Sequence, residues 1–325
     1  MKIKQQPILF EPYLKSVIWG GNKICRYKGI PQSEENIGES WEISAVPGHV
    51  SVVADGPYKG LNLNDLINEF GEELLGSEVI KKYGREFPLL IKIIDANDNL
   101  SVQVHPDDAL AKERHNSLGK TEMWYIISTD EGAKIYAGLK DKLNPEEYVK
   151  CVKNGTFADA LAVHDSKPGD LFFLPAGRVH AIGAGNLLAE IQESSDITYR
   201  IFDYDRRDAN GNPRELHTEL AKDAIDYTVY ENYKEKAPSS DEKIATLVDC
   251  EHFVTQRILV DGVTGVSLSD KSFHVIICID GTIELQYPDG AMEISKGQSV
   301  LLPAVLDELN IVGKGTILLT GVGDK

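Results

Sequence analysis

Residues 169–182 read GDLFFLPAGRVHAI, and this pattern predicts two short β-strands joined by a turn. The apolar run LFFL follows a glycine, Pro-Ala-Gly interrupts it, and apolar residues resume at Val179. Short apolar runs bounded by glycine and proline are typical of strands packed in a sheet. His180 therefore lies on the return strand, where a histidine is either a hydrogen-bonded surface residue or a metal ligand.

A second copy of this unit occurs near the end of the sequence. The stretch GQSVLLPAVLDELNI begins at Gly297, and its glycine and Pro-Ala have the same spacing as in the first copy. Two copies of one β unit predict two related β domains. At the position equivalent to His180 the second copy has Glu308. We therefore expect the second copy to have a structural role.

Strand patterns also dominate the rest of the sequence. Short apolar or alternating runs, such as PLLIKIIDA at 88–96, are separated by turns that contain glycine or proline. A polar stretch with few large apolar residues, at 231–243, predicts a linker. Helical periodicity is confined to three insertions, at 61–84, 144–164 and 215–227. Many short strands with glycine and proline turns predict a mainly β sandwich or barrel with helical insertions.

Composition and charge exclude several classes of protein. A length of 325 residues favours about two domains, and no run reaches the roughly 18 apolar residues of a membrane-spanning helix. The net charge of -17 argues against nucleic-acid or anionic-membrane partners, so an anionic substrate would need a local cluster of lysine and arginine. The absence of a signal peptide and of Cys-x-x-Cys pairs predicts a cytoplasmic protein with free thiols. The four cysteines are Cys25, Cys151, Cys250 and Cys278.

The stretch NLSVQVHPDDALA, at 99–111, predicts a strand with candidate functional side chains on its polar face. Gln103 and His105 alternate with valines, so both side chains point to the same face. Pro106 and the acids after it predict the first turn of a helix. The chain then returns as GKTEMWYII, which brings Glu122 onto the next strand.

The spacing around His180 resembles the second metal-binding motif of the cupins. In that family the corresponding histidine binds a metal inside a jelly-roll barrel, and the first motif is here altered to Gln103-Val104-His105 with a distant Glu122. Two imidazoles, a carboxylate and an amide oxygen fit zinc. The set of His105, Glu122 and His180 alone also fits the two-histidine, one-carboxylate site of non-haem Fe(II) oxygenases. Residue type does not separate these two metals.

Over its first 210 positions the sequence closely resembles the type I phosphomannose isomerases of the short bacterial form. The resemblance implies a double cupin fold of two jelly-roll β-barrels, with a catalytic domain at 1–235 and a degenerate second domain without metal ligands at 236–325. The matching motifs, in this order, are WGG (19–21), GESWE (38–42), PLLIKIIDA (88–96), LSVQVHPDD (100–108), GKTEMWYI (119–126), PAGRVHAI (175–182) and ESSDITYRIFDYDR (193–206).

The resemblance also implies an activity, the interconversion of mannose 6-phosphate and fructose 6-phosphate through an enediol(ate). One zinc ion would be bound by Gln103, His105, Glu122 and His180. Arg200 occupies the position of the family's catalytic arginine; the alternative is a structural ion pair with a neighbouring aspartate. The substrate-binding residues would be Lys92, Ser101, Lys120 and Arg200.

Two roles stay open in the sequence. Lys120 and Glu190 are both candidates for the catalytic base. The sequence TYRIFDYDRR replaces the family's lysine-containing run after the arginine, so the phosphate contact is open among Lys120, Arg206 and Arg207.

Two other functions compete with the isomerase. One is an Fe(II) cupin dioxygenase, and the other is a non-catalytic cupin that binds a sugar phosphate. The lysine-rich site and Gln103 argue against the first, and the intact ligand set with Arg200 argues against the second. We expect a monomer or homodimer that binds a small sugar phosphate.

Overall fold

The computed structural model describes residues 2–207, 210–239 and 241–323, and the chain is mainly β. The strands are β1 Ile8–Glu11, β2 Tyr13–Gly21, β3 Ile37–Ile43, β4 Val52–Val53, β5 Leu89–Ala96, β6 Val102–Val104, β7 Glu122–Thr129, β8 Lys134–Leu139, β9 Leu161–Asp165, β10 Leu171–Leu174, β11 His180–Ile182, β12 Asn186–Glu193, β13 Tyr199–Phe202, β14 Ile244–Asp249, β15 Val254–Ser267, β16 His274–Tyr287, β17 Gly290–Ser295, β18 Ser299–Leu302 and β19 Glu308–Gly321. The helices are α1 Lys23–Lys28, α2 Leu63–Phe70, α3 Glu72–Leu75, α4 Ser77–Tyr83, α5 Asp108–His115, α6 Pro145–Lys153 and α7 Thr218–Ala224, with a 3₁₀ helix at Phe157–Ala160.

Two antiparallel sheets form the first part of the fold. One has the strand order β10-β7-β12-β5-β3-β2, and the other has the order β13-β6-β11-β8-β9. A core that includes Trp124, Ile135 and Leu188 lies between them. The mainly β cupin fold predicted from the sequence is confirmed, and within the described residues its first two sheets form a two-layer sandwich without closing into a barrel. Packing two sheets face to face buries the same apolar faces that closure would bury.

Strand β6 shows how alternation directs the site. Val102 and Val104 pack in a core that includes residues of α6 and α7, on the outer face of the five-stranded sheet. Because side chains alternate along a strand, Gln103 and His105 point to the opposite face, between the two sheets. The sequence predicted this orientation.

The third sheet has the order β14-β15-β19-β16-β18-β1-β4, with β17 paired to β16. Its apolar interior includes Ile276, Leu285 and Leu302. Strand β1 belongs to this sheet through the register Ile8↔Leu301, although it comes from the start of the chain. The division of the chain at 235/236 stays a prediction.

Two predicted helical insertions differ from the structure. In segment 61–84 the Asn62 side chain caps the start of α2, but Gly71 and Gly76 then break the segment into three short helices. Both glycines have positive φ, at 50° and 91°, a conformation that other residues resist. Segment 144–164 is helical only to Lys153, and its second half forms the 3₁₀ helix and β9.

The predicted linker at 231–243 lies against the first two sheets, with residue 240 outside the described part. Tyr233 is buried, and its hydroxyl donates a hydrogen bond to the Leu139 carbonyl at 2.8 Å. Gly138 lies beneath this ring, and a Cβ there would meet it at 2.0 Å. This part of the segment is therefore packed rather than a free tether. In the described part of the chain, no helix combines the length and apolar character needed to span a membrane.

Candidate active site

Three polar side chains converge at the buried centre of the two-sheet sandwich. His105 follows β6, Glu122 begins β7 and His180 begins β11, and all three are at most 1% exposed. The Nε2 of His105 lies 3.6 Å from Oε2 of Glu122, and the Nε2 of His180 lies 3.2 Å from Oε1. The three side chains share a set of ligand atoms within 4.8 Å of one another.

The outer nitrogens of both imidazoles are fixed by backbone carbonyls. Nδ1 of His105 lies 2.8 Å from the Ile197 oxygen, and Nδ1 of His180 lies 2.9 Å from the Arg178 oxygen. A proton on each Nδ1 leaves the Nε2 lone pair free for a cation, as in metal-binding histidines generally. Burial lowers the pKa of both histidines, that of His180 to about 4, so both rings are neutral near pH 7.

The donor set fits a divalent metal ion. Within the described residues, Nε2 of His105 and both carboxylate oxygens of Glu122 are buried without a hydrogen-bond partner. Burial, together with the nearby Glu190, raises the pKa of Glu122, so an added positive charge would be needed to keep this carboxylate ionised. A metal ion would satisfy these atoms and that charge together.

Gln103 lies at the edge of this cluster. Its amide nitrogen is 3.3 Å from Nε2 of His180, and a half-turn of the amide would present its oxygen at the same place. The residue is therefore near enough to add an oxygen ligand.

A network of alternating charges lies beside the cluster. The Nζ of Lys92 contacts Oε1 of Glu190 at 3.0 Å and Oε1 of Gln192 at 2.8 Å, and Trp124 donates to Oε2 of Glu190 at 2.8 Å. Burial would raise the pKa of Glu190, but Lys92 and Lys120 outweigh it and lower this pKa to about 2. Glu190 is thus an ionised carboxylate with both oxygens engaged.

Lys120 connects the cluster to solvent-accessible space. Its Nζ lies 3.6 Å from Oε2 of Glu122, and burial lowers its pKa. A cavity of about 380 Å³ opens next to it. The predicted site residues that line this cavity are Lys92, Ser101, Gln103, Lys120, Glu190 and Arg200.

Arg200 lies in β13 and reaches into the cavity from the other side of the sandwich. Its Nη1 donates to the Glu215 carbonyl at 3.0 Å, and among the described residues its Nε has no hydrogen-bond partner. Asp203 instead pairs with Arg206 and Arg214. The ion pair considered as the alternative role of Arg200 is thus taken by other arginines.

Arg214 is a cavity residue that the sequence analysis missed. Its Nε donates to Oδ2 of Asp203 at 2.7 Å, and its side chain lines the same cavity as Arg200. Burial and the charge of Arg214 lower the pKa of Arg200, so the two guanidinium groups are close enough to repel one another. No periodic pattern marks the 203–217 segment, and only the tertiary fold brings Arg214 to the site.

The two arginines that the sequence suggested for phosphate binding, Arg206 and Arg207, make other contacts. Arg206 donates to Oδ1 of Asp203 and to the Asn99 carbonyl, and Nη1 of Arg207 donates to the Gly211 carbonyl at 2.9 Å. Neither is among the described residues that line the cavity. Glu39 and Trp41 do line it, which agrees with the family motif that contains them.

Two family models match this chain. Residues 8–130 match the catalytic domain of type I phosphomannose isomerase, and residues 243–321 match the cupin domain of mannose-6-phosphate isomerase. The second match covers most of the third sheet and supports the cupin fold in the C-terminal part of the chain.

Individual relatives extend these matches over the full length. Mannose-6-phosphate isomerase ManA of Bacillus subtilis is 36% identical over 95% of this chain and 96% of its own. A mannose-6-phosphate isomerase of Streptococcus mutans is 45% identical over 68% of each chain. The crystal structure of a Bacillus subtilis mannose 6-phosphate isomerase superposes with a TM-score of 0.87 at 37% identity, covering 97% of this chain and 99% of that one. Its sequence motifs, its mainly β cupin fold and the relatives that match nearly its full length show that the chain belongs to the type I phosphomannose isomerase family.

Proposed function

We propose that this protein is a zinc-dependent aldose–ketose isomerase that interconverts mannose 6-phosphate and fructose 6-phosphate through an enediol(ate). The observation that carries the proposal is the buried cluster of His105, Glu122 and His180 beside a cavity lined by lysines and arginines. This placement joins a metal site to an anion-binding surface. The cations also supply the local positive charge that an acidic protein needs to bind a phosphate ester.

The proposed zinc ligands are Gln103, His105, Glu122 and His180. Two neutral imidazoles, one carboxylate and one amide oxygen are a nitrogen and oxygen set that suits zinc. When bound, zinc supplies Lewis-acid polarisation of the substrate's carbonyl oxygen.

The contacts favour Lys120 over Glu190 as the group that moves the proton. Isomerisation requires a base to take the proton from C2 of the aldose and return it to C1. The C2–H electron pair first forms the C1–C2 double bond while the C1 carbonyl oxygen gains a proton. The C2 hydroxyl then loses its proton to become the carbonyl, and the double-bond pair takes up the proton at C1. Both oxygens of Glu190 are already hydrogen-bonded. The Lys120 amine has a longer contact of 3.6 Å to Glu122 and lines the cavity.

Arg200 is proposed to stabilise the negative charge that develops on the substrate oxygens. Its half-buried guanidinium has an Nε without a described partner, and such a donor strengthens as charge develops in a site shielded from water. Replacing Arg200 with alanine should lower kcat by about 100- to 1000-fold and leave the metal content unchanged. Activity near that of the unmodified protein would instead leave Arg200 with a structural role.

Arg214 and Ser101 are proposed as phosphate contacts. Both line the cavity, and guanidinium groups bind phosphate oxygens through paired hydrogen bonds. Lys92, which ion-pairs with Glu190, is proposed to face the sugar rather than the phosphate.

The domain roles form part of the proposal. We assign catalysis to a domain at 1–235 and a structural role to a second cupin domain at 236–325. The apolar interior of the third sheet, with Ile258, Ile283 and Ile311, supports a second domain without a metal site.

A coupled assay tests the proposed function. Purified protein is supplied with mannose 6-phosphate, and fructose 6-phosphate is followed through glucose-phosphate isomerase and a dehydrogenase, before and after chelation and zinc return. We expect turnover that the chelator removes and zinc restores. Absence of turnover with metal bound, or oxygen consumption with Fe(II), would overturn the isomerase and favour the sugar-phosphate-binding or oxygenase function.

A further inference from the structure

A polar contact joins the turn between β14 and β15 to the strand that supports the metal cluster. We propose that His252 in this turn is a positioning residue for the metal centre and acts through Glu193 and Thr121. The inference rests on the metal-binding function proposed above. It gives the second domain, which we propose to be without metal ligands, a defined effect on the metal site.

Glu193, the last residue of β12, forms hydrogen bonds with both backbone polar groups of Thr121. Its Oε2 accepts a hydrogen bond from the Thr121 N–H at 2.7 Å, and its own backbone N–H donates to the Thr121 carbonyl at 3.1 Å. Glu193 is only 3% exposed. Its carboxylate can therefore neither turn away to solvent nor lose its partners without a cost in free energy.

Thr121 in turn sets the position of two parts of the site. It lies between Lys120, which lines the cavity, and Glu122, which belongs to the metal cluster. Its Oγ1 also accepts a hydrogen bond at 3.3 Å from the N–H of Ala176, in the turn that leads to His180. A shift of Thr121 would thus move a carboxylate ligand, the proposed base and the approach to a histidine ligand.

His252 is the side chain that faces the free oxygen of Glu193. Its Nδ1 lies 3.0 Å from Oε1 of Glu193, without the alignment of a hydrogen bond. Burial would lower the pKa of His252, but Glu193, Asp108 and Glu251 raise it on balance. The carboxylate of Asp108 also lies within 4.8 Å, so the ring faces two acids at this contact.

Removing the imidazole would leave one oxygen of the buried Glu193 carboxylate without its neighbour. The side chain would then be free to change rotamer, and this change weakens its hydrogen bond to Thr121. Loss of a side chain that hydrogen-bonds a metal ligand directly typically costs about 10–100-fold in metal affinity or activity. His252 acts through Glu193 and Thr121, so its loss belongs at the lower end of this range. We expect an effect of this size on the metal site and a small effect on substrate KM, because the arginines of the cavity stay in place.

The test compares His252→Ala with a control at the other contact of this turn. Lys82→Met removes that contact between the turn and the first part of the chain without changing an acid beside His252, since Lys82 pairs with Glu251 at 3.5 Å and both side chains are at least 36% exposed. Zinc affinity is measured on each full-length protein by competition with a coloured chelator, together with kcat and KM at saturating zinc.

For His252→Ala we expect about tenfold weakening of zinc affinity and a lower kcat with KM nearly unchanged. Lys82→Met should match the unmodified protein in all three. His252→Gln, which can still donate to Glu193, should recover part of the zinc affinity. Unchanged zinc affinity and kcat in His252→Ala would overturn the proposal, whatever the change in melting temperature. The zinc measurement does not depend on the isomerase activity, so failure of the inference and failure of the proposed function are distinguishable.

Discussion

His105 carries the metal proposal at the level of a single atom. Its Nδ1 is fixed at 2.8 Å from the Ile197 carbonyl, and its Nε2 is buried and points toward Glu122. Replacing His105 with alanine removes one of the proposed ligands and so weakens binding of the cation that would balance the Glu122 carboxylate. We expect zinc affinity to fall by more than about 100-fold, and activity to fall with it. Metal analysis of the purified variant, before and after dialysis against a chelator, measures the loss.

A histidine outside the cluster provides the control for this variant. His164 lies in β9, where its Nε2 is 3.2 Å from the Ala137 carbonyl, so His164→Ala removes an imidazole without touching the site. We expect His164→Ala to keep its zinc, which would show that loss of a histidine outside the cluster does not affect the metal. If His105→Ala also kept its full zinc content, His105 would not be a ligand.

Variants of Arg214 and Arg206 distinguish a loss of phosphate binding from a loss of local structure. Both pair with Asp203, but Arg214 lines the cavity while Arg206 is bonded to the Asn99 carbonyl. Hydrogen bonds to charged groups contribute about 1.5–3 kcal/mol, so Arg214→Gln should raise KM for mannose 6-phosphate by roughly 10–100-fold. Arg206→Gln should change KM by less than about twofold. Steady-state kinetics of both variants decide this, and equal effects would remove Arg214 from phosphate binding.

At the scale of elements, Gly76 sets the angle between α3 and α4. Its φ is 91°, and a Cβ there would meet the Lys271 carbonyl carbon at 2.3 Å. Gly76→Ala should therefore lower the free energy of unfolding by about 2–4 kcal/mol, from backbone strain and overpacking together. Gly84, at the other end of α4, also has a positive φ of 64° but open space around it, so Gly84→Ala should cost less. Urea unfolding of both variants checks the difference, and equal losses would mean that the Lys271 contact carries no cost.

The same glycines show what the sequence could and could not predict. The cap at Asn62, the strand alternation at Gln103 and His105, and the excursion between His105 and Glu122 follow from patterns a few residues long. The breaks at Gly71 and Gly76 lie where the insertion packs against Arg85 and against the distant loop at Lys271, so periodicity alone predicted one helical segment. Arg214 and His252 reach their partners only through the tertiary fold, and no local pattern marks them.

At the scale of the whole molecule, the parts of the chain share one core. Residues of the six-stranded sheet, of α2–α4 and of the third sheet pack in a single apolar cluster, represented by Ile91, Leu66 and Leu318. Strand β1, near the start of the chain, pairs with β18, near its end. Because these contacts would be lost together, we expect thermal unfolding in one transition although the sequence contains two related β units.

Lys28 gives this cooperativity a test. Its Nζ contacts Oε1 of Glu42 at 2.7 Å and the Gly297 carbonyl, which precedes β18, and both side chains of the ion pair are at most 5% exposed. Lys28→Met leaves the Glu42 charge buried without its partner, which costs about 3–5 kcal/mol, whereas the double variant Lys28→Met/Glu42→Gln removes both charges and should recover part of this loss. The exposed pair Lys81–Glu78 is the control, and Lys81→Met should cost less than about 1 kcal/mol.

Calorimetry should show one transition moved to lower temperature in Lys28→Met, because the contact bridges the N-terminal helix α1 and the third sheet. Two separate transitions would mean that the sheets unfold independently and that the shared core does not couple them.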